Sequence, residues 1–231
     1  FCAAATLPEA SCANWHNILE TRRWTSGREI KHNASTMPRH NIPPEHGIRV
    51  PADAMRKFIG ALFSKVKVPD DQAEHMAITL VANDLRCVFS HGTIQADAYV
   101  RQMLGGHTNS SPVVRVVSES SATVVLDGDG GLGYFPAHRG TKMAIEKALV
   151  LGVAAATTRN HFHFGAAGNY SRMALAKDCI GMAISSHRYH PNPQATVMSA
   201  SGGSPMSIAI PTGSEPPLVL DMSASFLPQQ D

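Results

Sequence analysis

The 231-residue sequence has few cysteines and no surplus of charge of either sign. Its four cysteines are widely spaced and form no CxxC pair, so we expect reduced thiols and neither a disulfide framework nor a zinc site. Lys and Arg total 20 against 18 Asp and Glu, and they are spread along the chain to give a net charge of +2. Without a basic patch, binding to nucleic acid is not expected.

The sequence also lacks any long apolar run. No segment approaches the length of about 20 residues that a membrane-spanning helix needs, and residues 1–5 are too short and lack the basic flank of a secretory signal. We therefore expect no membrane partner and a cytoplasmic protein. Residues 1–49 show no sustained periodicity and are predicted to form an irregular leader. The first residue is not Met, which suggests a partial or processed sequence.

Helical periodicity begins at about residue 50. Apolar residues at helical spacing predict an amphipathic helix over 52–66. A second helix is predicted to begin after residue 69, with two acidic residues in its first turn. A third is predicted over 93–104, where a pair of glycines ends it. These elements predict a helical subdomain over residues 50–110.

The remainder of the chain alternates β-rich and helical patterns. Two β-rich runs at 113–117 and 122–126 are separated by a polar segment typical of a hairpin. Further strands are predicted at 152–157, 180–185, 206–210 and 218–221, and helices near 136–150 and 166–177. This order predicts an α+β fold in which the helical N-terminal subdomain packs on a sheet domain over residues 111–225.

A glycine-rich turn connects a predicted strand to a predicted helix. It reads GDGGLG over residues 128–133, which superficially matches the GxGxxG fingerprint of dinucleotide-binding folds. However, no acidic residue follows at a strand end about twenty residues later, where such folds hold the ribose. The pattern therefore favours a tight turn over a Rossmann nucleotide site.

Two histidines, His161 and His163, follow a predicted strand in a loop rich in small residues. Imidazole is the side chain best suited to proton transfer near neutral pH, so this loop is a candidate catalytic site. A histidine-based metal hydrolase is a further possibility, but no third ligand stands near the pair and no metal is assigned. A second candidate is His91, which follows Ser90; a Ser-His hydrolase would need a GxSxG elbow, and the sequence has none.

Seven short motifs follow one another between residues 84 and 222. They are DLRxxxSHG at 84–92, DGxxGxG at 127–133, AIEKA at 144–148, RNxxHFGAAGxY at 159–170, IGMA at 180–183, GxxP at 202–205 and LVLDM at 218–222. Together they resemble the type-2 malate/L-lactate dehydrogenase family. The resemblance implies an oxidoreductase that uses NAD or NADP to transfer hydride to or from a 2-hydroxy or 2-oxo acid. It also implies a mostly antiparallel, non-Rossmann cofactor-binding sheet domain and a homodimer.

The resemblance implies roles for individual residues as well. The proton-transferring histidine of the family corresponds to His163, and the histidine that lines the substrate and nicotinamide pocket corresponds to His91. Tyr99 corresponds to a tyrosine near the substrate, whereas His161 stands where relatives have a small polar residue. The cofactor contacts carry over to His187, Asp221, Met222 and Ser223.

The sequence departs from the family pattern on the substrate side and at its end. Gln95 replaces the arginine that pairs with the substrate carboxylate, and Ser204 lies in an altered loop expected to border the substrate. A second altered loop lies at 193–196. The tail 226–231 leaves the family pattern, so the sheet domain is expected to be incomplete at its C-terminus. The alternative function is therefore a catalytically impaired or inactive fragment that acts only through association.

Overall fold

The computed structural model describes residues 47–185 and 205–223. Within these ranges the helices are α1 (Ala52–Lys65), α2 (Asp70–Leu85), α3 (Gln95–Leu104), α4 (Tyr134–Leu151) and α5 (Gly168–Ser171), with 3-10 helices at Phe89–His91 and Arg172–Lys177. The strands are β1 (Arg115–Glu119), β2 (Thr123–Asp127), β3 (Ala155–Arg159), β4 (Gly181–Ile184), β5 (Pro205–Ile210) and β6 (Leu218–Ser223). His187, Ser204, the loop 193–196, the tail 226–231 and most of the predicted leader lie outside the described residues.

Helices α1 and α2 pack against each other through the apolar stripes that the sequence predicts. Both begin directly after a proline, which costs no hydrogen bond there because the first N–H groups of a helix have no intrahelical partner. The buried faces of both helices join α3 and the start of α4 in the larger hydrophobic core, which contains Ile59, Phe63, Met76, Leu80, Tyr99, Leu132, Tyr134 and Phe135.

The first sheet contains β1, β2 and β3 in that order. The pair β1–β2 is antiparallel, as the hairpin pattern predicts, whereas β2 and β3 are parallel. Parallel neighbours require a crossover, and α4 provides it while packing on both strands. Gly140 lets the helix approach closely, since a Cβ there would lie 3.0 Å from Leu126 Cδ1 and 3.2 Å from Ala156 Cβ.

The second sheet contains β4, β5 and β6, all antiparallel. Side chains alternate between the two faces of a strand. One face packs on α5 and on the 3-10 helix that follows it, and Ser207 and Ala209 are completely buried there. The opposite face, which we call the apolar sheet face, carries five large side chains that are 40–67% exposed: Met182, Ile184, Leu218, Leu220 and Met222.

Two strands begin later than the sequence patterns predict. The strand predicted at 113–117 is β1, which begins at Arg115, because the Val113 N–H donates instead to the Asp129 side chain at 3.0 Å. The strand predicted at 152–157 is β3, which begins at Ala155. Helix α4 ends at Leu151 and is capped by Gly152, whose φ of +85° is readily adopted by glycine.

The helix predicted near 166–177 is two short helices, α5 and the 3-10 helix Arg172–Lys177. The segment lies tightly on the second sheet at this point. A Cβ at Gly181 would lie 2.1 Å from the Ser171 carbonyl oxygen, and the Ser171 and Ser207 hydroxyl oxygens are 2.7 Å apart. Packing on the sheet therefore accompanies the change in helix type, and 3-10 turns are frequent at such helix ends.

The described residues confirm the α+β class, with helices α1 to α3 preceding two small sheets. Among their strand pairings, β2–β3 is the one parallel pair. No helix in these two ranges combines the length and the apolar character needed to span a membrane.

Candidate active site

The histidine loop, residues 160–167, leaves the end of β3 and lies across the glycine-rich turn. Asn160 begins it with φ +51°, a conformation that asparagine tolerates, and its amide donates to Asp127 at 2.9 Å. Backbone hydrogen bonds then connect the loop and the turn. The N–H groups of Gly130 and Gly133 donate to the carbonyl oxygens of Asn160 and His163, respectively, each at 2.9 Å. The backbone of the turn thus holds the loop in position.

The glycines of the turn are required by this close contact. A Cβ at Gly133 would lie 2.6 Å from His161 Nδ1 and 2.7 Å from Phe164 Cβ. A Cβ at Gly131 would lie 2.4 Å from Pro112 Cγ. Distances this short are not tolerated by packed atoms, so glycine at these positions serves the packing of the loop.

His163 is half-buried and lies within a group of aromatic side chains. Its Nδ1 is 2.6 Å from the Tyr99 hydroxyl oxygen, and that oxygen is 3.1 Å from the hydroxyl oxygen of Tyr134. Its ring centroid is 5.5 Å from that of His91. Three predicted site residues from separate parts of the chain, Tyr99, His91 and His163, therefore meet in one place.

His91 ends the 3-10 helix between α2 and α3. Its Nδ1 is 2.9 Å from Ser90 Oγ, and its carbonyl accepts a hydrogen bond of 2.7 Å from the side chain of Asn83, which is completely buried. Burial lowers the pKa of His91, and the nearby Asp221 carboxylate opposes this by a smaller amount. His91 is therefore neutral at neutral pH.

The Ser-His-Gly turn is held by the end of α2. The Asp84 carboxylate accepts hydrogen bonds from the Thr93 N–H at 3.1 Å and from the Thr93 hydroxyl at 2.6 Å. A Cβ at Gly92 would lie 1.7 Å from Asp84 Oδ1, so the turn requires glycine there. Asp84 and Gly92 thereby hold the turn that carries His91.

Gln95 has a hydrogen-bond partner within the protein. Its amide nitrogen donates to the Ser90 carbonyl at 2.6 Å. The group that would donate to a substrate carboxylate is thus used to hold the turn that carries His91. A role for Gln95 in substrate binding stays a prediction.

Asp221 lies near the other end of this site, on β6. Its carboxylate accepts a hydrogen bond of 3.1 Å from the Gly168 N–H, and a Cβ at Gly168 would lie 2.4 Å from Asp221 Oδ2. Burial raises the pKa of Asp221, while the Gly168 N–H, His91, Arg172 and Arg86 act to lower it. The predicted cofactor residue therefore interacts electrostatically with His91.

Arg86 is a residue of this site that the sequence analysis did not select. Its guanidinium donates to Asn169 Oδ1 at 2.7 Å. Burial and the neighbouring Arg172 lower the pKa of Arg86, and Asp221 opposes them. The only signal in the sequence was its position inside the DLRxxxSHG motif. Arg86 connects the end of α2 to the segment that carries Asp221's hydrogen-bond donor.

His161 is in a different environment from His163. Its Nδ1 lies 2.8 Å from the Phe162 carbonyl oxygen and its Nε2 lies 2.8 Å from Thr158 Oγ1. A carbonyl only accepts, so Nδ1 carries the proton and Nε2 accepts from the Thr158 hydroxyl. Both nitrogens are thereby used within the protein, which is the arrangement of a structural histidine.

An open cavity of about 610 Å³ borders the His161 side of the same loop. Its lining includes His107, Asn109, Asn160, His161 and Phe162. Neither His163 nor His91 lines it, so this cavity is distinct from the histidine pair.

Three predicted cofactor and substrate residues have no described surroundings. His187 and Ser204 lie outside the described residues, and Ser223 ends β6 with a side chain that is not described. Met222 is 40% exposed on the apolar sheet face. Among residues 47–185 and 205–223, no three His, Cys, Asp or Glu side chains form a group that could hold a metal ion.

Comparisons with known proteins cover most of the chain. A family model described as malate/L-lactate dehydrogenase matches residues 50–230. Malate dehydrogenase of Pyrococcus horikoshii is 36% identical over 184 residues, or 80% of this chain and 51% of that protein. L-sulfolactate dehydrogenase of Methanocaldococcus jannaschii is 33% identical over 186 residues, or 80% of this chain and 52% of that protein.

Solved structures give the same result. The structure of the P. horikoshii malate dehydrogenase superposes with a TM-score of 0.70 at 35% identity, covering 79% of this chain and 52% of the other. A malate dehydrogenase from Entamoeba histolytica gives a TM-score of 0.70 at 31% identity, covering 78% and 50%. The chain thus spans about half the length of the relatives it matches.

Proposed function

The chain belongs to the malate/L-lactate dehydrogenase family, and from this premise we propose that it acts as an NAD- or NADP-dependent oxidoreductase on a small 2-hydroxy or 2-oxo acid. The observation that carries the proposal is the 2.6 Å contact between His163 Nδ1 and the Tyr99 hydroxyl, with the tilted ring of His91 centred 5.5 Å from that of His163. A homodimer and a cytoplasmic location are part of the same proposal.

Oxidation of a 2-hydroxy acid needs a base for the hydroxyl proton, and His163 is proposed to be that base. Its Nδ1 faces Tyr99, so Nε2 is the nitrogen that would take the proton from the substrate oxygen. Burial raises the pKa of Tyr99 well above its usual value, which keeps the phenol protonated. Its oxygen can still accept a hydrogen bond from the Nδ1–H of His163. In the reverse reaction the protonated His163 returns the proton to the 2-oxo group. Such help typically supplies a factor of about 10²–10⁴.

His91 is proposed to line the substrate pocket as a neutral hydrogen-bonding group. Its lowered pKa keeps it uncharged at neutral pH and makes it a weaker base than an ordinary histidine. Its close contact with His163 would exclude water from one side of the transferring proton, which supports orientation of the two reacting groups.

The residues near Asp221 fit a nicotinamide nucleotide. Among the described residues, the buried Nδ2 of Asn169 has no hydrogen-bond partner. The Asp221 carboxylate accepts from the N–H of the preceding residue, Gly168, and can accept further hydrogen bonds. A carboxamide offers one acceptor and two donors, which matches this pair. Asp221 and Asn169, with Met222, Ser223 and His187 by family resemblance, would hold the group. When bound, nicotinamide supplies the acceptor or donor of the hydride at C2 of the acid.

A non-Rossmann mode of cofactor binding is part of the proposal. The N–H groups of Gly130 and Gly133 already donate to the histidine loop, and the space above Gly133 is filled by His161 and Phe164. A pyrophosphate would need those donors and that space. These contacts support a cofactor site on the Asp221 side of the loop.

The substrate class follows from the names of the relatives and from the chemistry of the site. Malate and sulfolactate, on which the named relatives act, are both 2-hydroxy acids with a second anionic group. The His163 base requires only the hydroxyl at C2. We therefore propose a malate- or lactate-like acid as substrate.

Titration of NADH and NADPH against the purified chain tests the proposal. Saturable quenching of the cofactor fluorescence is expected with one or both nucleotides, followed by turnover of oxidised cofactor with malate, lactate or sulfolactate. The absence of saturable quenching with either nucleotide would contradict the proposal and support the alternative of an inactive fragment that acts through association. Stoichiometric zinc in the preparation would instead support a metal hydrolase.

A further inference from the structure

We propose that Tyr134 is a positioning residue that sets the protonation pattern of His163 through Tyr99. The inference rests on the proposed function of His163 as the base. Its starting point is a line of three groups: the Tyr134 hydroxyl is 3.1 Å from the Tyr99 hydroxyl, which is 2.6 Å from His163 Nδ1. The two phenol rings meet edge to face, with centroids 5.9 Å apart and planes at 74°.

Burial fixes the position of Tyr134. It is the first residue of α4, and both it and Tyr99 are at most 2% exposed. The chain makes room for its hydroxyl at Gly165, where a Cβ would lie 2.4 Å from Tyr134 Oη and 2.5 Å from Cζ. Gly165 has φ +80°, which favours glycine for a second reason. The histidine loop is therefore shaped around the end of the Tyr134 side chain.

The protons on this line can be arranged so that His163 is a base. A phenol oxygen can donate one hydrogen bond and accept others. If the Tyr99 O–H donates to the Tyr134 oxygen, the Tyr99 oxygen accepts from the Nδ1–H of His163. His163 then carries its proton on Nδ1 and presents an Nε2 lone pair, which is the form that abstracts a proton.

Without the Tyr134 oxygen, the opposite arrangement of protons becomes more favourable. The Tyr99 O–H loses its acceptor and turns to donate to His163 Nδ1, which moves the imidazole proton to Nε2. The Nδ1–H form is then depleted. In the cation the Tyr99 oxygen still accepts from the Nδ1–H, but the Tyr99 O–H no longer has the Tyr134 oxygen as its acceptor, so the cation is less favoured. Tyr134 thus sets the tautomer of His163 and contributes to its proton affinity.

Nitrogen-15 NMR of histidine-labelled protein tests the inference without cofactor or substrate. The His163→Asn variant assigns the signals, and the Nδ1 and Nε2 shifts give the tautomer ratio. In the unaltered chain we expect the Nδ1–H form of His163 to predominate. In Tyr134→Phe the ratio of Nδ1–H to Nε2–H should fall about twofold to tenfold, the range expected for one hydrogen bond, and the titration of His163 should move to lower pH.

Tyr170→Phe is the matched control. Tyr170 is also buried and donates to the Phe164 carbonyl oxygen in the same loop. It is not a member of the hydrogen-bonded line formed by Tyr134, Tyr99 and His163. Its loss should leave the tautomer ratio of His163 unchanged. Gly165→Ala, which displaces the Tyr134 hydroxyl without removing it, should reproduce the effect of Tyr134→Phe.

Three results would overturn the inference. They are a predominant Nε2–H form of neutral His163 in the unaltered chain, an unchanged ratio in folded Tyr134→Phe, and an equal change in Tyr170→Phe. The first needs no variant to fold. Failure of the proposed dehydrogenase activity would appear separately, as an absence of turnover in a chain whose His163 still has the expected tautomer.

Discussion

At the scale of single residues, two histidines of similar sequence context have different surroundings. His161 uses both ring nitrogens within the protein, on Thr158 and on the Phe162 carbonyl. His163 directs Nδ1 to the buried Tyr99 and lies beside His91. The sequence placed both in one loop after a strand, and the resemblance alone favoured His163.

Substitution of each histidine by alanine separates these roles. We expect His163→Ala to lower kcat/KM for a 2-hydroxy acid by about 10²–10⁴-fold, because the proton acceptor is lost. His161→Ala should retain most activity, with its effect confined to the stability of the loop. Steady-state kinetics of both variants provide the measurement, and equal losses would contradict the assignment of the base.

The second prediction at this scale concerns Gln95, which replaces the family's arginine. Gln95→Arg should lower KM for a carboxylate substrate about tenfold to a hundredfold, since a charge-assisted hydrogen bond is worth about 1.5–3 kcal/mol. Gln95→Met is the control, because both changes remove the Gln95 amide that donates to the Ser90 carbonyl but only arginine adds a charge. An unchanged KM in Gln95→Arg would mean that another group holds the carboxylate.

At the scale of elements, two glycines make opposite contributions. Gly60 lies in the middle of α1, where a Cβ would meet only Ala77 Cβ at 3.9 Å. Gly181 begins β4 directly against the Ser171 carbonyl, where a Cβ would lie 2.1 Å from the oxygen. The first glycine lowers helix stability, whereas the second allows the sheet to pack.

Alanine at these positions should therefore shift stability in opposite directions. Gly60→Ala is expected to raise the free energy of unfolding by about 0.5–1 kcal/mol, the difference in helix propensity. Gly181→Ala should lower it by at least about 1–3 kcal/mol, the usual cost of overpacking. Urea denaturation followed by circular dichroism measures both; a stabilised Gly181→Ala would mean that β4 does not lie on Ser171 in solution.

The contact between α2 and α4 contains a pair of histidines outside the candidate site. The rings of His75 and His138 have centroids 4.5 Å apart, and Phe135 lies 6.2 Å from His75. Burial, and then His138, lower the pKa of His75 to about 4. Burial and Lys142 lower the pKa of His138. Both imidazoles are thus neutral in the folded chain at pH values where they are charged in the unfolded chain.

The stability of the chain should consequently fall as the pH decreases from about 6.5 towards 4. In this window the unfolded state binds more protons than the folded state, because the usual histidine pKa is about 6.5. His91 contributes in the same direction, whereas the raised pKa of Asp221 opposes it at the acidic end. Since His75 is partly exposed, we expect its share to be near 1 kcal/mol, or about 2–4 °C in Tm.

Thermal unfolding at about pH 7.5 and about pH 5 gives the measurement for this pair. His75→Gln should reduce the difference in Tm between the two pH values, because one buried titrating group is removed. The surface histidine His107 is the matched control, and His107→Gln should leave the difference unchanged. A pH dependence of His75→Gln equal to that of the unaltered chain would contradict the role of the pair.

At the scale of the whole molecule, the second sheet exposes its large apolar side chains and buries smaller ones. The face packed on α5 carries small and hydroxyl side chains, whereas the apolar sheet face is exposed. Contiguous apolar surface of this kind is uncommon in monomeric proteins.

The apolar sheet face should bind the hydrophobic dye ANS in the folded state. Ile184→Thr combined with Leu218→Thr is expected to reduce the ANS fluorescence to less than about half, because two of its most exposed side chains lose apolar area. Tm should change little, since neither residue is buried. Unchanged fluorescence in the double variant would mean that this face is covered in solution.

Local patterns in the sequence determined the elements and the family. Helical spacing predicts α1 to α3, the paired β-rich runs predict the β1–β2 hairpin, and the ordered motifs indicate the family that the comparisons confirm. These signals are short-range, so they can be read without knowing what packs against what. The domain boundaries at residues 110 and 225 stay predictions.

The tertiary structure alone decided which groups act together. Tyr99 and His163 are 64 residues apart in sequence, and Tyr99 and Tyr134 are 35 apart. Likewise, Gln95 turns to the Ser90 carbonyl and Asp221 to the Gly168 N–H. No periodicity encodes such contacts, because they depend on how buried helices and loops fill space against one another. The sequence by itself determined the candidate histidines. Packing determined that His163 is the one that contacts the buried Tyr99, which in turn contacts Tyr134.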